Sequence, residues 1–383
     1  MPPPRLDRQE GLTVAHVERR DKGRYRARYR GPDGRERSRT FTRRTDADRW
    51  LASVETAIAQ GEWLDPARSA MLLSDWAERW LTTRTDLRPS THARLTGVVS
   101  QHVLPRFGSR RLSTLTNAEV REWAASMSGD GKGATTVRKS VFALRQMLDA
   151  AVADRRLSVN PAASVPLPAE RHTEQRFLSR EEVDALAERI DPRFRAFVLL
   201  GAYAGLRWGE LAGLRRIRVD TLRSRVTVAE TAVQVSGRIT FGEPKTPKSR
   251  RVVPVARSVM REVEQHLATY VDPDPDALLF TAAQGGPLYR ATFHRSVWAP
   301  AVRAAGVGGL RVHDLRHSFV SIMVAAGANP KAVSTWAGHS SVSFTLDRYG
   351  HLYDDHADDV ADQIDALLTM QSRAAEVRRI GAS

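Results

Sequence analysis

The 383-residue sequence contains no cysteine. That one absence excludes disulfides, thiolate zinc sites, iron–sulfur clusters and a cysteine nucleophile together, so any metal would have to be held by histidines and carboxylates. Long apolar runs are also missing. The longest uncharged one, residues 196–206, has 11 residues, against the ~20 that a membrane-crossing helix needs. The start, Met1-Pro2-Pro3-Pro4-Arg5, has no apolar signal region, and a cytoplasmic protein is expected. Acidic residues are in deficit, 44 Asp and Glu against 59 Lys and Arg, for a net charge of +15. With 42% hydrophobic and 27% charged residues the composition is that of a folded chain, and its length suits two or three domains. Surplus positive charge favours a polyanionic partner, because neutralising phosphates releases condensed counterions.

The charge is concentrated at one end. Residues 19–49 hold thirteen Lys and Arg against five Asp and Glu. Within them Arg24, Arg26, Arg28 and Arg30 alternate with Tyr25, Ala27 and Tyr29, and the two-residue period of a strand puts all four arginines on one face. Gly31-Pro32-Asp33-Gly34 reads as a turn. A second strand follows with Arg35, Arg37 and Arg39 at the same period, and then a helix opening at Thr45 with Trp50, Leu51, Val54 and Ile58 on its apolar side. The expectation is a small β-sheet backed by a helix, with a basic face suited to a DNA groove; the competing reading is an edge hairpin kept soluble by charge.

A break at 61–69, marked by Gly61 and Pro66, leads to a helical stretch reaching about residue 159. Its apolar stripes are Leu73, Trp76, Ala77, Trp80 and Leu81, then Val137, Val141, Leu144, Leu148 and Val152. Thr116 and Glu119 have capping-box spacing, and Leu115 and Val120 flank them. Three prolines at 161–168 mark a second break. A third region opens at Ser179 with Glu182 again at capping-box spacing, passes through β-type runs at 225–235 and 238–255, and returns to helix. The fold class expected is a mixed α+β multidomain protein: a small N-terminal sheet-plus-helix domain (1–65), an all-helical domain (66–168), and a mainly helical domain with a small antiparallel sheet (169–383).

Five passages of the third region carry polar residues that the local pattern does not need: Gly205-Leu206-Arg207-Trp208-Gly209-Glu210, Pro244-Lys245-Thr246-Pro247-Lys248-Ser249-Arg250, His313-Asp314-Leu315-Arg316-His317, Gly338-His339, and Thr345 through Tyr349. Arg207 follows the uncharged run 196–206, whose composition implies burial, so its guanidinium needs an anion or a dipole. Glu210 supplies one reading of that anion, a buried ion pair without a ligand. His313 and Arg316, at i and i+3, share the first turn of a helix. His339 stands just after a helix stop at Gly338, and Tyr349 follows ten residues later. Two arginines, a lysine and two histidines suit phosphate better than a metal, because a phosphoryl transition state spreads negative charge that forked guanidiniums stabilise.

The set GLRWGE, PKTPKSRR, HDLRH, and GH followed at ten residues by Tyr resembles the tyrosine recombinases, in particular the phage and mobile-element integrases. The resemblance implies a site-specific recombinase that cuts and rejoins DNA through a 3′-phosphotyrosyl intermediate to integrate or excise a mobile element. It implies that Arg207, His313, Arg316 and His339 grip the scissile phosphate and manage protons, that Lys245 is the general acid, and that Tyr349 is the nucleophile. Lys248 competes for the lysine role and Tyr353 for that of nucleophile, but Pro-Lys-Thr and the distance from His339 favour Lys245 and Tyr349. His351 and His356 match no catalytic element and read as surface residues. The first region resembles the arm-type DNA-binding domain of such integrases, which makes Arg24, Arg26, Arg28, Arg30, Arg35, Arg37 and Arg39 candidate DNA contacts, and the second resembles their core-binding domain. Neither ATP nor a metal is implied. The implied partners are duplex attachment sites, a homotetramer on synapsed DNA, an excisionase and a host DNA-bending protein, in the cytoplasm at the nucleoid.

Other readings compete. His313 and His317 at i, i+4 have the spacing of a helical metal pair, although Asp314 stands where a Glu is needed and no third ligand is evident. A Xer-type resolving recombinase, a type IB topoisomerase and a DNA-binding regulator without catalysis share parts of the pattern. Val360, Ile364, Leu367 and Leu368 recur at helical spacing, which marks a C-terminal helix that packs on its own domain or on a neighbouring protomer.

Overall fold

In the computed structural model the described residues are 15–170, 176–243, 249–353, 364–366, 368 and 369. Packing divides the chain into two compact units, Met1–His172 and Thr173–Ser383. As expected, the fold is mixed, with mostly helices and small antiparallel sheets.

The first unit begins with strands β1 (His16–Arg20), β2 (Arg24–Arg30) and β3 (Glu36–Phe41), antiparallel in that order. Helix α1 (Arg44–Ala59) covers one face, where Ala27 and Tyr29 meet Ala47 and Leu51. Register decides where the arginines go. Ala27 pairs with Arg39 and Tyr29 with Arg37, while Arg26 pairs with Thr40, Arg28 with Ser38 and Arg30 with Glu36. Directly paired residues share a face, so Arg24, Arg26, Arg28 and Arg30 lie on the side away from α1, and Arg37 and Arg39 lie on the helix side. The single basic face expected of both strands is therefore corrected: the two rows of arginine fall on opposite faces. Arg37 is held by Asp33 (2.7 and 2.8 Å) and Asp65 (2.8 Å), with its guanidinium over the Trp63 ring. Arg35 precedes β3 in the turn.

Past Asp65 the chain is helical, and the expected stripes form one core. Leu73, Trp76 and Trp80 of the helix Leu73–Thr83 meet Val141, Leu144 and Leu148 of the helix Ala134–Ala153. The Trp76 indole N–H donates to the Met147 carbonyl at 2.8 Å. Thr116 and Glu119 close the reciprocal capping box that opens the helix Asn117–Gly129.

In the second unit the capping box of Ser179 and Glu182 starts the helix Arg180–Arg189. The helix Arg195–Tyr203 is apolar all round and buried from Ala196 to Ala202. It packs against the helix Val312–Ala325, and glycines let the two approach. A Cβ at Gly201 would lie 2.6 Å from Leu315 Cδ1, and one at Gly205 would run into the Phe319 ring. Gly205 also holds φ +65°, where a side chain is strained. The two expected β-runs divide between a three-stranded sheet, Val219–Asp220, Arg225–Val228 and Arg251–Pro254, and a separate hairpin, Thr231–Val235 with Arg238–Gly242. Of the expected C-terminal stripe, Val360 and Leu367 lie outside the described residues, while Ile364 and Leu368 are in helical backbone and exposed.

Gly205→Ala therefore meets both strain and a clash. It should cost at least about 2 kcal/mol of stability, more than a strain-free exchange changes, measured by urea unfolding against an Ala substitution at the open Gly242.

Candidate active site

The site is built where the tight turn after the buried helix Arg195–Tyr203 meets the start of the helix Val312–Ala325 and the turn at Gly338. Arg207 leaves that buried helix and is fixed at once by Glu210. Its backbone N–H donates to Glu210 Oε2 (2.9 Å) and its Nη1 to Oε1 (2.8 Å), while Nη2 reaches the Gly338 carbonyl (2.6 Å). Glu210 is buried, and it also receives Arg251 from the edge of the three-stranded sheet, Nη1 to Oε1 and Nη2 to Oε2, both at 3.0 Å. The third Arg251 nitrogen, Nε, donates to the Trp336 carbonyl at 2.7 Å. Gly338 stands at φ +62°, and a Cβ there would lie 2.9 Å from Arg251 Nη1. One carboxylate thus joins two arginines to the turn that carries His339. Burial alone would raise the Glu210 carboxyl; the Arg251 hydrogen bonds and charge, with the Arg207 charge, outweigh it and bring the pKa to about 2.

Arg316 is 2% exposed. Its Nη1 donates to the Gly205 carbonyl at 2.7 Å, and its Nη2 is buried with no hydrogen-bond partner. Burial first, then the Arg207 charge, lower its pKa to about 9, so it remains a cation at neutral pH. A buried guanidinium with a free donor has a standing demand for an anion.

Tyr349 ends the helix Val342–Tyr349 and is 1% exposed. Its ring stacks on His339, with centroids 5.8 Å apart and planes 6° apart. Its hydroxyl lies 2.6 Å from His317 Nδ1, and His317 sits edge-on to His313 at 4.9 Å. His339 Nδ1 is 2.8 Å from Thr345 Oγ1. Burial pushes the Tyr349 hydroxyl above its ordinary pKa, against the opposing charges of Arg316 and Arg348. Burial is also the main cause that lowers the histidines: His313 to about 4, helped by Arg316 and Arg207, His317 to about 4, helped by His313, and His339 to about 3, helped by Arg316 and Arg207. All three are neutral at pH 7. A cleft of about 620 Å³ opens on the side of Arg207 and His313, lined also by Arg290 and Arg311.

The structure thus brings together Arg207, His313, Arg316, His339 and Tyr349. Lys245 and its rival Lys248 lie outside the described residues, as does His356. Tyr353, the rival nucleophile, turns its hydroxyl to the Ala328 carbonyl at 3.3 Å, and His351 is exposed. Among the described residues, no group of three or more His, Cys, Asp or Glu is placed to hold a metal ion. Two residues without a role in the sequence reading enter the site. Arg251 could have been found from the alternation of its strand, since Arg251 and Val253 point inward together. His317 carried only the metal-pair reading, and nothing local announces its contact with a tyrosine 32 residues away.

Paired guanidiniums, neutral histidines and a buried phenol meet at one place on this fold, a set whose charge and donors suit a phosphate. Residues 176–356 match the phage integrase family, residues 16–60 the phage integrase N-terminal domain, and residues 72–128 the phage integrase N-terminal SAM-like domain. Over 332 residues the chain is 32% identical to the integrase of Mycobacterium phage D29, spanning 82% of this chain and 84% of that one. The Tn1549 transposon integrase in complex with a circular intermediate DNA has a similar fold, with TM-score 0.64 at 21% identity over 77% of this chain and 99% of that one. A lambda integrase tetramer bound to a Holliday junction matches with TM-score 0.54 at 16% identity, over 86% and 94%. The chain belongs to the phage integrase family and is a site-specific tyrosine recombinase of the kind that integrates mobile elements.

Two predictions follow from this geometry. Removing the acid of the buried pair, by Glu210→Gln, should cost about 3–5 kcal/mol, because it leaves the Arg251 charge buried and uncompensated, whereas Arg251→Met should cost less, since Arg207 still pairs with Glu210; chemical unfolding measures both, and a loss below about 1 kcal/mol in Glu210→Gln would contradict the arrangement. The second concerns acid. His317 and His339 titrate near 6.5 when unfolded and near 4 and 3 when folded, so below pH 6.5 the unfolded chain binds more protons. Their contribution is fully present above that pH and is lost as pH falls towards the folded values. The melting temperature should drop by several degrees between pH 7 and 4.5, and less steeply in His339→Gln.

Proposed function

We propose that the second unit cleaves and religates DNA strands with Tyr349 as the nucleophile. Arg207 and Arg316, with His313 and His339, hold the scissile phosphate. The Tyr349 oxygen bonds to phosphorus, giving a 3′-phosphotyrosyl ester, and the 5′ oxygen leaves with a proton from Lys245. A 5′ hydroxyl of a second strand then displaces the tyrosine. Bond energy is kept in the ester, so the exchange needs no ATP. The observation that carries this reading is the buried Nη2 of Arg316, an unpaired donor on a cation whose field reaches the Tyr349 hydroxyl; a phosphate oxygen satisfies it, and such preorganised donors act where transition-state charge develops.

In this reading residues 1–65 form an arm-type DNA-binding domain, 66–168 the core-binding domain and 169–383 the catalytic domain. The DNA face of the first is the open side of the sheet. Arg24 and Arg30 are exposed on it, Arg26 bonds to Ser38, and Arg28 is shared between Glu18 and Glu36. Arg35 joins from the turn, while Arg37 and Arg39 serve the other face. The working assembly is a homotetramer on two synapsed attachment sites, as the lambda integrase tetramer on a Holliday junction suggests. An excisionase and a host DNA-bending protein set direction, and the enzyme works in the cytoplasm at the nucleoid; no helix among the described residues is long and apolar enough to cross a membrane.

The test is a nicked suicide duplex carrying the element's attachment region, incubated with the protein in EDTA. A covalent protein–DNA band is expected from the wild type, none from Tyr349→Phe, and at least about 100-fold less from Arg316→Ala. A band that persists in Tyr349→Phe assigns the wrong nucleophile. Specific binding without any band from the wild type makes the protein a DNA-binding regulator.

A further inference from the structure

Attack by Tyr349 requires its phenolic proton to go somewhere, and of the residues assigned to the phosphate His313 meets the His317 ring edge-on at 4.9 Å and makes no hydrogen bond to the phenol. His339 has its Nδ1 engaged with Thr345, and Arg207 and Arg316 are cations with no lone pair to offer. Arg348 beside the hydroxyl brings a charge and no base. His317 is different. It is 3% exposed, is packed by His313 on one side and Tyr349 on the other, and its Nδ1 is 2.6 Å from the phenolic oxygen. Resting on the proposed role of Tyr349, we infer that His317 is the general base of strand cleavage, its Nδ1 taking the Tyr349 proton as the phenolic oxygen bonds to phosphorus.

The step balances. The tyrosine O–H bond breaks towards Nδ1 as the O–P bond forms, the bond from phosphorus to the 5′ oxygen breaks, and that oxygen receives the proton of the general acid. The resulting imidazolium returns its proton to Tyr349 when the second 5′ hydroxyl attacks, and the proton of that hydroxyl goes back to the general acid, which the first step left without one. The charged and titratable groups around His317 are His313, Asp314 and Arg311 at the start of its helix, Arg348 and Tyr349 from the helix Val342–Tyr349, and His339. Asp314, one turn back, favours the imidazolium, and burial keeps the ring neutral beforehand. Proton acceptance at Nδ1 puts the ring N–H of the starting state on Nε2.

The alternative role for the same contact is a hydrogen-bond anchor or latch, and the variants separate the two. His317→Asn can still accept a hydrogen bond but cannot take a proton, and His317→Ala can do neither. Single-turnover cleavage is followed on two suicide duplexes, one normal and one with sulfur in place of the scissile 5′ oxygen, a leaving group that needs no general acid. Both His317 variants should cleave at least about 100-fold more slowly on both duplexes, with DNA binding by gel shift unchanged as the check on folding. The wild-type rate should fall on acidification through one ionisation that both variants lack. Wild-type rates in His317→Asn make His317 an anchor only, and faster cleavage in His317→Ala makes it a latch; either result overturns the inference. Failure of the underlying reading looks different: Tyr349→Phe still forms a covalent product, or the sulfur duplex does not rescue Lys245→Ala.

Discussion

A carboxylate without access to water is tolerable only where positive charge meets it with good geometry, and Glu210 meets that condition twice over. Arg251 covers both of its oxygens, and Arg207 reaches both as well, with Nη1 on Oε1 and the backbone N–H on Oε2. The same two arginines then spend their remaining donors on the carbonyls of Trp336 and Gly338. The position of the turn carrying His339, and through its stacked ring the setting of Tyr349, follows from that one buried acid. A well-packed hydrophobic replacement is often no less stable in such a place. What the ionic version adds is direction: guanidinium forks fix angles as well as distances.

Around this frame burial sets the protonation states. Three histidines lie below their ordinary range and a tyrosine above it, so the unliganded site holds protons on the phenol and lone pairs on the rings. Among the described residues the strong charges at its centre include Arg207, Arg251, Arg316 and Glu210. A phosphodiester held there would bring the opposite sign into a low-dielectric space and move the neighbouring imidazoles towards their ordinary basicity.

Much of this was legible in the sequence wherever the determinants are local. The caps at Thr116 and Ser179, the stripe of the helix Ala134–Ala153 and the stop at Gly338 depend on residues within a turn or two. The site members were legible because each sits at a short-range irregularity: Arg207 after an apolar helix, His339 after a glycine. Non-local features were not. The split of the arginines depends on strand register, which the turn at 31–35 sets and periodicity alone cannot see. The Arg251 pairing crosses 41 residues and the His317 contact crosses 32, and no window over the sequence joins them. The lysine of the set lies outside the described residues, and its place rests on the motif.

The bond from Arg207 to the Gly338 carbonyl spans 131 residues, and that from Arg316 to the Gly205 carbonyl spans 111. Contacts of such separation form late, since their loop-closure entropy has to be met by packing already in place. In synthesis from the N-terminus the first unit is joined before the second begins, and Tyr349 is added long after it. A growing chain therefore possesses its basic sheet well before it possesses the buried tyrosine. A chain that stops short of residue 349 keeps the first unit and lacks the ring on which His339 stacks, so truncation separates the two.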